Sequence, residues 1–258
     1  MNSKEHLIFL KRIRREKTII NIARILIIVS FLIAWQLLAG FNVINTFLFS
    51  SPCRIINTIY GLFINNNLLS HIGITIFEII ISFILSAGIG IVIATLMWSS
   101  NFFCKIIDPY ITILNSLPKV ALGPLIIIWF GASMKSIIFM SLLISVFVTI
   151  INVYQGFAST NKDYITMIKS FGATKWQVFK YIIFPSNYSN TISALKVNIS
   201  MNFIGVIMGE LLVSKKGLGY LIMYGSQIFN IDLVITCIFI LGTISYLMYF
   251  LINKKSRH

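Results

Sequence analysis

Only seven of the 258 side chains are carboxylates: Glu5, Glu16, Glu78, Asp108, Asp163, Glu210 and Asp232. No two of them are spaced as a close pair suited to general acid–base work. Cysteine is nearly absent too. Cys53, Cys104 and Cys237 are scattered, as are His6, His71 and His258, so neither a disulfide framework nor a metal-ligand spacing is present. No G-x-x-x-x-G-K-[ST] loop occurs, which leaves the chain without a visible means of holding ATP. A G-x-S-x-G elbow and an H-E-x-x-H helix are missing as well. An enzyme is hard to assemble from this inventory. It describes a conduit whose energy comes from elsewhere.

What the chain has in abundance is apolar surface: 57% of its residues are hydrophobic and 11% charged, more than a soluble domain can bury. Runs of about 20 apolar residues, enough to cross a bilayer core, occur at 18–40, 72–98, 106–130, 136–157, 191–213 and 231–252. The expectation is an all-α polytopic membrane protein of about six transmembrane helices. A basic N-terminus (1–17) would precede a membrane domain (18–252), with a loop at 158–190 and a tail at 253–258. The first apolar run is too long for a secretory signal and five more follow, so an uncleaved first helix is expected.

Lys and Arg set the orientation. With the N-terminus inside, 15 of them fall on the inner side and only Arg54, Lys135, Lys215 and Lys216 on the outer, with Lys119 and Lys196 within spans. Both termini and the long loop are therefore expected in the cytoplasm. The net charge of +14 then reflects topology and contact with anionic lipid rather than nucleic-acid binding.

The loop is longer than a connection requires, and it is patterned. Ile165, Met167 and Ile168 predict a short helix that Asn161 or Asp163 can cap. Gly172 supplies a joint. Trp176, Phe179, Ile182 and Ile183 then recur at helical spacing opposite Lys175, Gln177 and Lys180, and Pro185 is expected to stop the helix. Two amphipathic helices held outside a bilayer are suited to dock on a partner.

From Gly172 through Ile182-x-Phe184-Pro185, the loop resembles the EAA loop of ABC-importer permeases. Further stretches resemble the nitrate/sulfonate/taurine-type branch: Pro118-Lys119-Val120-Ala121-Leu122-Gly123-Pro124-Leu125, Trp129-Phe130-Gly131, Ala194-Leu195-Lys196, Glu210-Leu211-Leu212 and Gly217-Leu218-Gly219-Tyr220. The resemblance implies a type I ABC-importer permease fold in a bacterial plasma membrane. Two permease subunits, expected to be a homodimer, would form the pathway. Cytoplasmic ATPases carrying ATP and Mg would drive it, and an external solute-binding protein would deliver a small solute of the sulfonate, nitrate, taurine or vitamin-precursor kind, an anion among the candidates. The chain itself would need no cofactor. A stand-alone channel or secondary carrier is the alternative, and would leave the loop without a purpose.

The resemblance assigns ATPase coupling to Asp163, Thr166, Met167, Gly172, Ala173, Trp176, Phe179 and Pro185. Thr166 stands where the family carries the glutamate of its EAA triplet, so docking is expected to rest on Gly172 and on apolar contacts from Met167, Trp176 and Phe179. In the third span Asn115, Pro118 and Lys119 are candidates for the pathway or gate, set against a kinked packing helix. Glu210 is weighed as a gate against an ion pair with Lys215 or Lys216. Gly205 and Gly209 are expected to permit close helix approach, as are Gly88 and Gly90 with Ser82 and Ser86.

Overall fold

A computed structural model describes residues 4–65 and 68–255. Residues 1–3, 66–67 and 256–258, the last group including Arg257 of the tail, lie outside the described residues. All regular structure among the described residues is helical. The first helix, α1 (Lys4–Gly40), runs unbroken through the boundary expected at 17/18, because no glycine or proline interrupts it before Gly40. That boundary is one of charge, not of backbone. A single turn, α2 (Thr46–Phe49), and α3 (Pro52–Asn65) follow, and Arg54 on α3 pairs with Asp232 at 2.7 Å. The second long helix is α4 (Leu68–Ser99).

The expected third span is not one rod. It divides into α5 (Asn101–Ser116) and α6 (Gly123–Phe130), bent by 85°. Pro118 forces Leu117 into an extended conformation (φ −64°, ψ 143°). A 3₁₀ turn at Lys119–Leu122 then leads into α6, whose first turn accepts Pro124. The break is sharper than a kinked packing helix.

The remaining elements are α7 (Met134–Ala158), α8 (Lys162–Ser170), α9 (Lys175–Val178), α10 (Phe184–Ser186), α11 (Tyr188–Val213), α12 (Leu218–Gln227) and α13 (Ile231–Lys255). Five helices are long and apolar enough to cross a membrane (α1, α4, α7, α11 and α13), and the α5–α6 pair makes a sixth if taken as one broken span.

The centre is a layer of α4, α7 and α11, and small residues bring these helices together. A Cβ on Gly209 would lie 2.9 Å from the Ile137 Cα, and one on Gly205 would collide with the Ser141 backbone. Gly90 likewise seats Thr149, and Ser82 and Ser86 are buried with it, whereas Gly88 has open space around it, so three of the four residues of that expected small-residue face pack. One hydrophobic cluster, including Val153, Phe157, Val178, Phe179, Ile183 and Ala194, fills the end of the layer beside residues 159–187. Another, including Leu68, Ile79, Val206, Leu218 and Leu233, fills the opposite end. The first helix stands outside this core, touching α13 through a Trp35–Phe239 ring stack at 5.8 Å. Outward faces carry Ile84, Val92, Phe102 and Ile128, as expected where the surrounding solvent is lipid.

Candidate functional site

Residues 159–187 leave α7 and return into α11 as a small folded unit. The Asn161 side chain caps α8, accepting from the Asp163 N–H at 2.8 Å, and leaves Asp163 in the first turn where its charge suits the helix dipole. Gly172 takes φ +82°, the left-handed joint expected of it. Thr174 and Gln177 then form a reciprocal capping box that starts α9.

From here the structure departs from expectation. Pro185 does not stop the helix. The turn Phe179–Ile183 widens into a π-helix, and Pro185 lies in the first turn of α10. A proline N has no hydrogen for the preceding turn, and one widened turn accommodates it. The Ser186 hydroxyl donates back to the Ile182 carbonyl at 2.6 Å.

The apolar stripe also divides. Phe179 is only 9% exposed and packs edge-on against Phe157, with Trp98 and Val178 in the same cluster, so it anchors the unit instead of presenting itself to a partner. Ala173 packs partly against the same cluster. Trp176 is 66% exposed, Met167 lies open on α8, and Phe171 is 82% exposed. The exposed large apolar and aromatic side chains of the unit are therefore Tyr164, Met167, Phe171, Trp176, Tyr181 and Phe184. Sequence periodicity missed Phe171 because it falls in the turn. The Thr166 hydroxyl turns back to the Lys162 carbonyl at 2.9 Å and offers no charge outward. Asn187, also unforeseen, is buried and donates to Thr160 Oγ1 (2.6 Å) and to the Ile183 carbonyl (2.9 Å), clasping the exit of α7 to the entry of α11.

Beside this unit, between α7 and α11, Asn152, Gln155, Ser159, Asn190 and Ser193 line an open cleft of about 370 Å³. Deeper in the layer lies a polar seam. The Ser145 and Thr149 hydroxyls donate to the carbonyls of Ser141 and Ser145 at 2.8 and 2.9 Å. Asn198 donates to Thr149 Oγ1 at 2.5 Å and to Ser86 at 3.0 Å. Asn202 accepts from Ser141 at 2.8 Å and donates to Asn198 Oδ1 at 2.9 Å. All of these side chains are buried, and mutual satisfaction is what makes such a network tolerable in a core. The seam was readable as Ser141, Ser145 and Thr149 at four-residue spacing, opposite Asn198 and Asn202.

The expected pathway residues fall in two places. Asn115, Pro118 and Lys119 sit at the α5–α6 break. There Lys119 Nζ donates to the Asn115 carbonyl (2.7 Å) and side chain (3.2 Å) and lies 5.8 Å from the Phe147 ring centroid, capping the broken helix end. Glu210 is at the other end of the layer. It does not pair with Lys215 or Lys216: Glu210 Oε1 accepts from the Thr75 hydroxyl at 2.6 Å, and Oε2 from the Gly219 N–H at 2.5 Å. Glu78, one turn along α4 from Thr75, is buried beside it. The two acids are 132 positions apart in sequence (210 − 78), so a search for close acidic pairs could not find them; the fold makes the pair.

An all-helical layer of long apolar helices, a jointed helical unit at one end and a buried polar seam are the architecture of a polytopic membrane protein. Residues 86–258 match the family of binding-protein-dependent transport system inner membrane components, and the chain belongs to it. It is 29% identical over 230 residues to "Probable ABC transporter permease protein" of Haemophilus influenzae, covering 89% of this chain and 93% of that one. It is 30% identical over 185 residues to the formylaminopyrimidine transport permease protein ThiX of Halalkalibacterium halodurans (72% and 74%), and 22% identical over 222 residues to the taurine transport system permease protein TauC of Escherichia coli (84% and 81%). A chain of the MetNI methionine ABC transporter in an inward-facing conformation superposes with a TM-score of 0.67 at 17% identity, covering 74% of this chain and 94% of that one. The fold is that of a type I ABC-importer permease. The relatives are transport permeases, not enzymes, and family membership implies ATPase and substrate-binding partners in general.

Proposed function

We propose that this chain is the membrane-spanning subunit of an ATP-driven importer, coupled to a separate cytoplasmic ATPase through residues 159–187. The observation that carries the reading is the exposure of Met167, Phe171 and Trp176 on a capped, glycine-jointed unit. Apolar side chains in a basic loop outside the spans have no lipid to cover them, and a groove on a partner protein is the natural cover. The inward bias of Lys and Arg supports a cytoplasmic position for this unit and both termini. Two copies form the pathway, an external binding protein delivers the solute, and the cleft of Asn152, Gln155, Asn190 and Ser193 is its hydrogen-bonding cytoplasmic mouth. ATP and Mg are held by the ATPase. The substrate is a small polar solute of the class that the relatives' names span, from taurine to formylaminopyrimidine and nitrate.

The test is co-purification of the partner ATPase with full-length permease carrying Trp176→Glu and Phe171→Glu. Retention of the ATPase is expected to fall while the melting temperature of the permease holds, since both side chains are exposed. Undiminished retention, or solute flux through liposomes without any ATPase, would overturn the reading in favour of a stand-alone channel or carrier.

A further inference from the structure

Glu78 and Glu210, brought together where Thr75 of α4 bonds the Glu210 carboxyl, have no part in coupling or in the cleft, and their surroundings constrain their chemistry. Both side chains are 1% exposed. No Lys or Arg joins either one: the ion pairs among the described residues are Arg12–Glu16 and Arg54–Asp232. Both oxygens of Glu210 receive donors, the Thr75 hydroxyl on Oε1 and the Gly219 N–H on Oε2. Glu78 receives none at Oε2.

An ionised carboxylate can only accept, so two carboxyls meet in a hydrogen bond only with a proton between them. The pattern of donors says which of the two keeps it. Glu210 has the surroundings of a carboxylate. A bare buried oxygen on Glu78 is tolerable as the carbonyl of a neutral acid and far more costly as half of an anion.

The pair stands at the start of α12. Gly217, Leu218 and Gly219, the cap and first two residues of that helix, direct successive N–H groups to His71 Nδ1 (3.0 Å), Thr75 Oγ1 (2.9 Å) and Glu210 Oε2. These are the donors that a helix start leaves without intrahelical partners. Glycine is required where the carboxyl lies against the backbone: a Cβ on Gly219 would come 2.7 Å from the Glu210 Cβ, and one on Gly217 would strike the carboxyl itself.

We propose that Glu78 is a neutral carboxylic acid that donates its proton to the Glu210 carboxylate, and that this hydrogen-bonded pair positions the N-terminus of α12 against α4 and α11. Glu78 is thus a positioning residue acting through Glu210, and its requirement is for a hydrogen-bond donor, not a charge.

Glutamine keeps a donor at that place; alanine does not. Hydrogen exchange of the amides at 217–221 in the full-length protein in lipid nanodiscs should stay within about threefold of wild type in Glu78→Gln and rise by roughly tenfold or more in Glu78→Ala. Infrared spectra should lose a protonated-carboxyl band in Glu78→Gln, a measurement that stands even if the alanine variant does not fold. Glu78→Gln exchanging as fast as Glu78→Ala, Glu78→Ala exchanging like wild type, or no protonated-carboxyl band lost in Glu78→Gln would each overturn the assignment. These readouts require neither ATPase nor solute, so they stand apart from the importer reading.

Discussion

Gly172 offers the sharpest test of how the jointed unit works, because backbone and space can be separated there. Its φ of +82° lies where L-residues are disfavoured, yet a Cβ built on it meets nothing within 4 Å. Substitution therefore costs conformation, not volume. The left-handed region costs an ordinary side chain about 1–2 kcal/mol, a factor of roughly 5 to 30 in the population of the bent joint. Asn, which tolerates that region, should lose least, and a β-branched residue should lose most. Ala and Leu should fall together between them despite their difference in size. The assay is ATP hydrolysis stimulated by the solute-binding protein, measured on the assembled transporter with permease variants Gly172→Asn, →Ala, →Leu and →Val. The expected order of coupling is Asn, then Ala and Leu together, then Val. A loss that grows steeply from Ala to Leu, or a Val variant coupled like wild type, would refute the conformational argument.

Other perturbations probe the layer. Gly205→Val drives a side chain into the Ser141 backbone and should lower stability by about 1–3 kcal/mol or more, whereas Gly88→Ala, with open space, should leave melting unchanged or raise it slightly; thermal melting in detergent compares the two. Asn202→Leu strands partners on Ser141, Ser145 and Asn198 and should cost about 1–3 kcal/mol in the same measurement. Lys119→Met removes the donor to the Asn115 carbonyl and should cost about 1 kcal/mol; unchanged melting would show that the break does not need its cap.

The spans, the jointed loop and its Asn161 and Gly172 devices were legible because each depends on local pattern: apolar run length, a capping side chain, a left-handed glycine. What was not legible depends on register between elements far apart in the chain. Whether Phe179 faces inward or outward is decided by Phe157 and Trp98, which arrive on other helices. Glu78 meets Glu210 only because α4 and α11 lie side by side. The break at Leu117–Pro118 was signalled by its prolines, but their presence does not set an 85° bend, which also needs the 3₁₀ turn after it. Family resemblance named the fold correctly. It could not see that Thr166 folds back on its own helix.

Gly205 and Gly209 let α11 pack against the backbone of α7, and Asn187 clasps their ends beside the jointed unit. Mechanically the pair is one beam. A helix of 25 residues, the length of α7, is about 37 Å long, so a tilt of roughly 10° at one end sweeps the other through about 6 Å. That is wider than a small solute's radius. A modest rotation at residues 159–187 is thus geometrically sufficient to displace the far end of the pair, with no helix needing to bend.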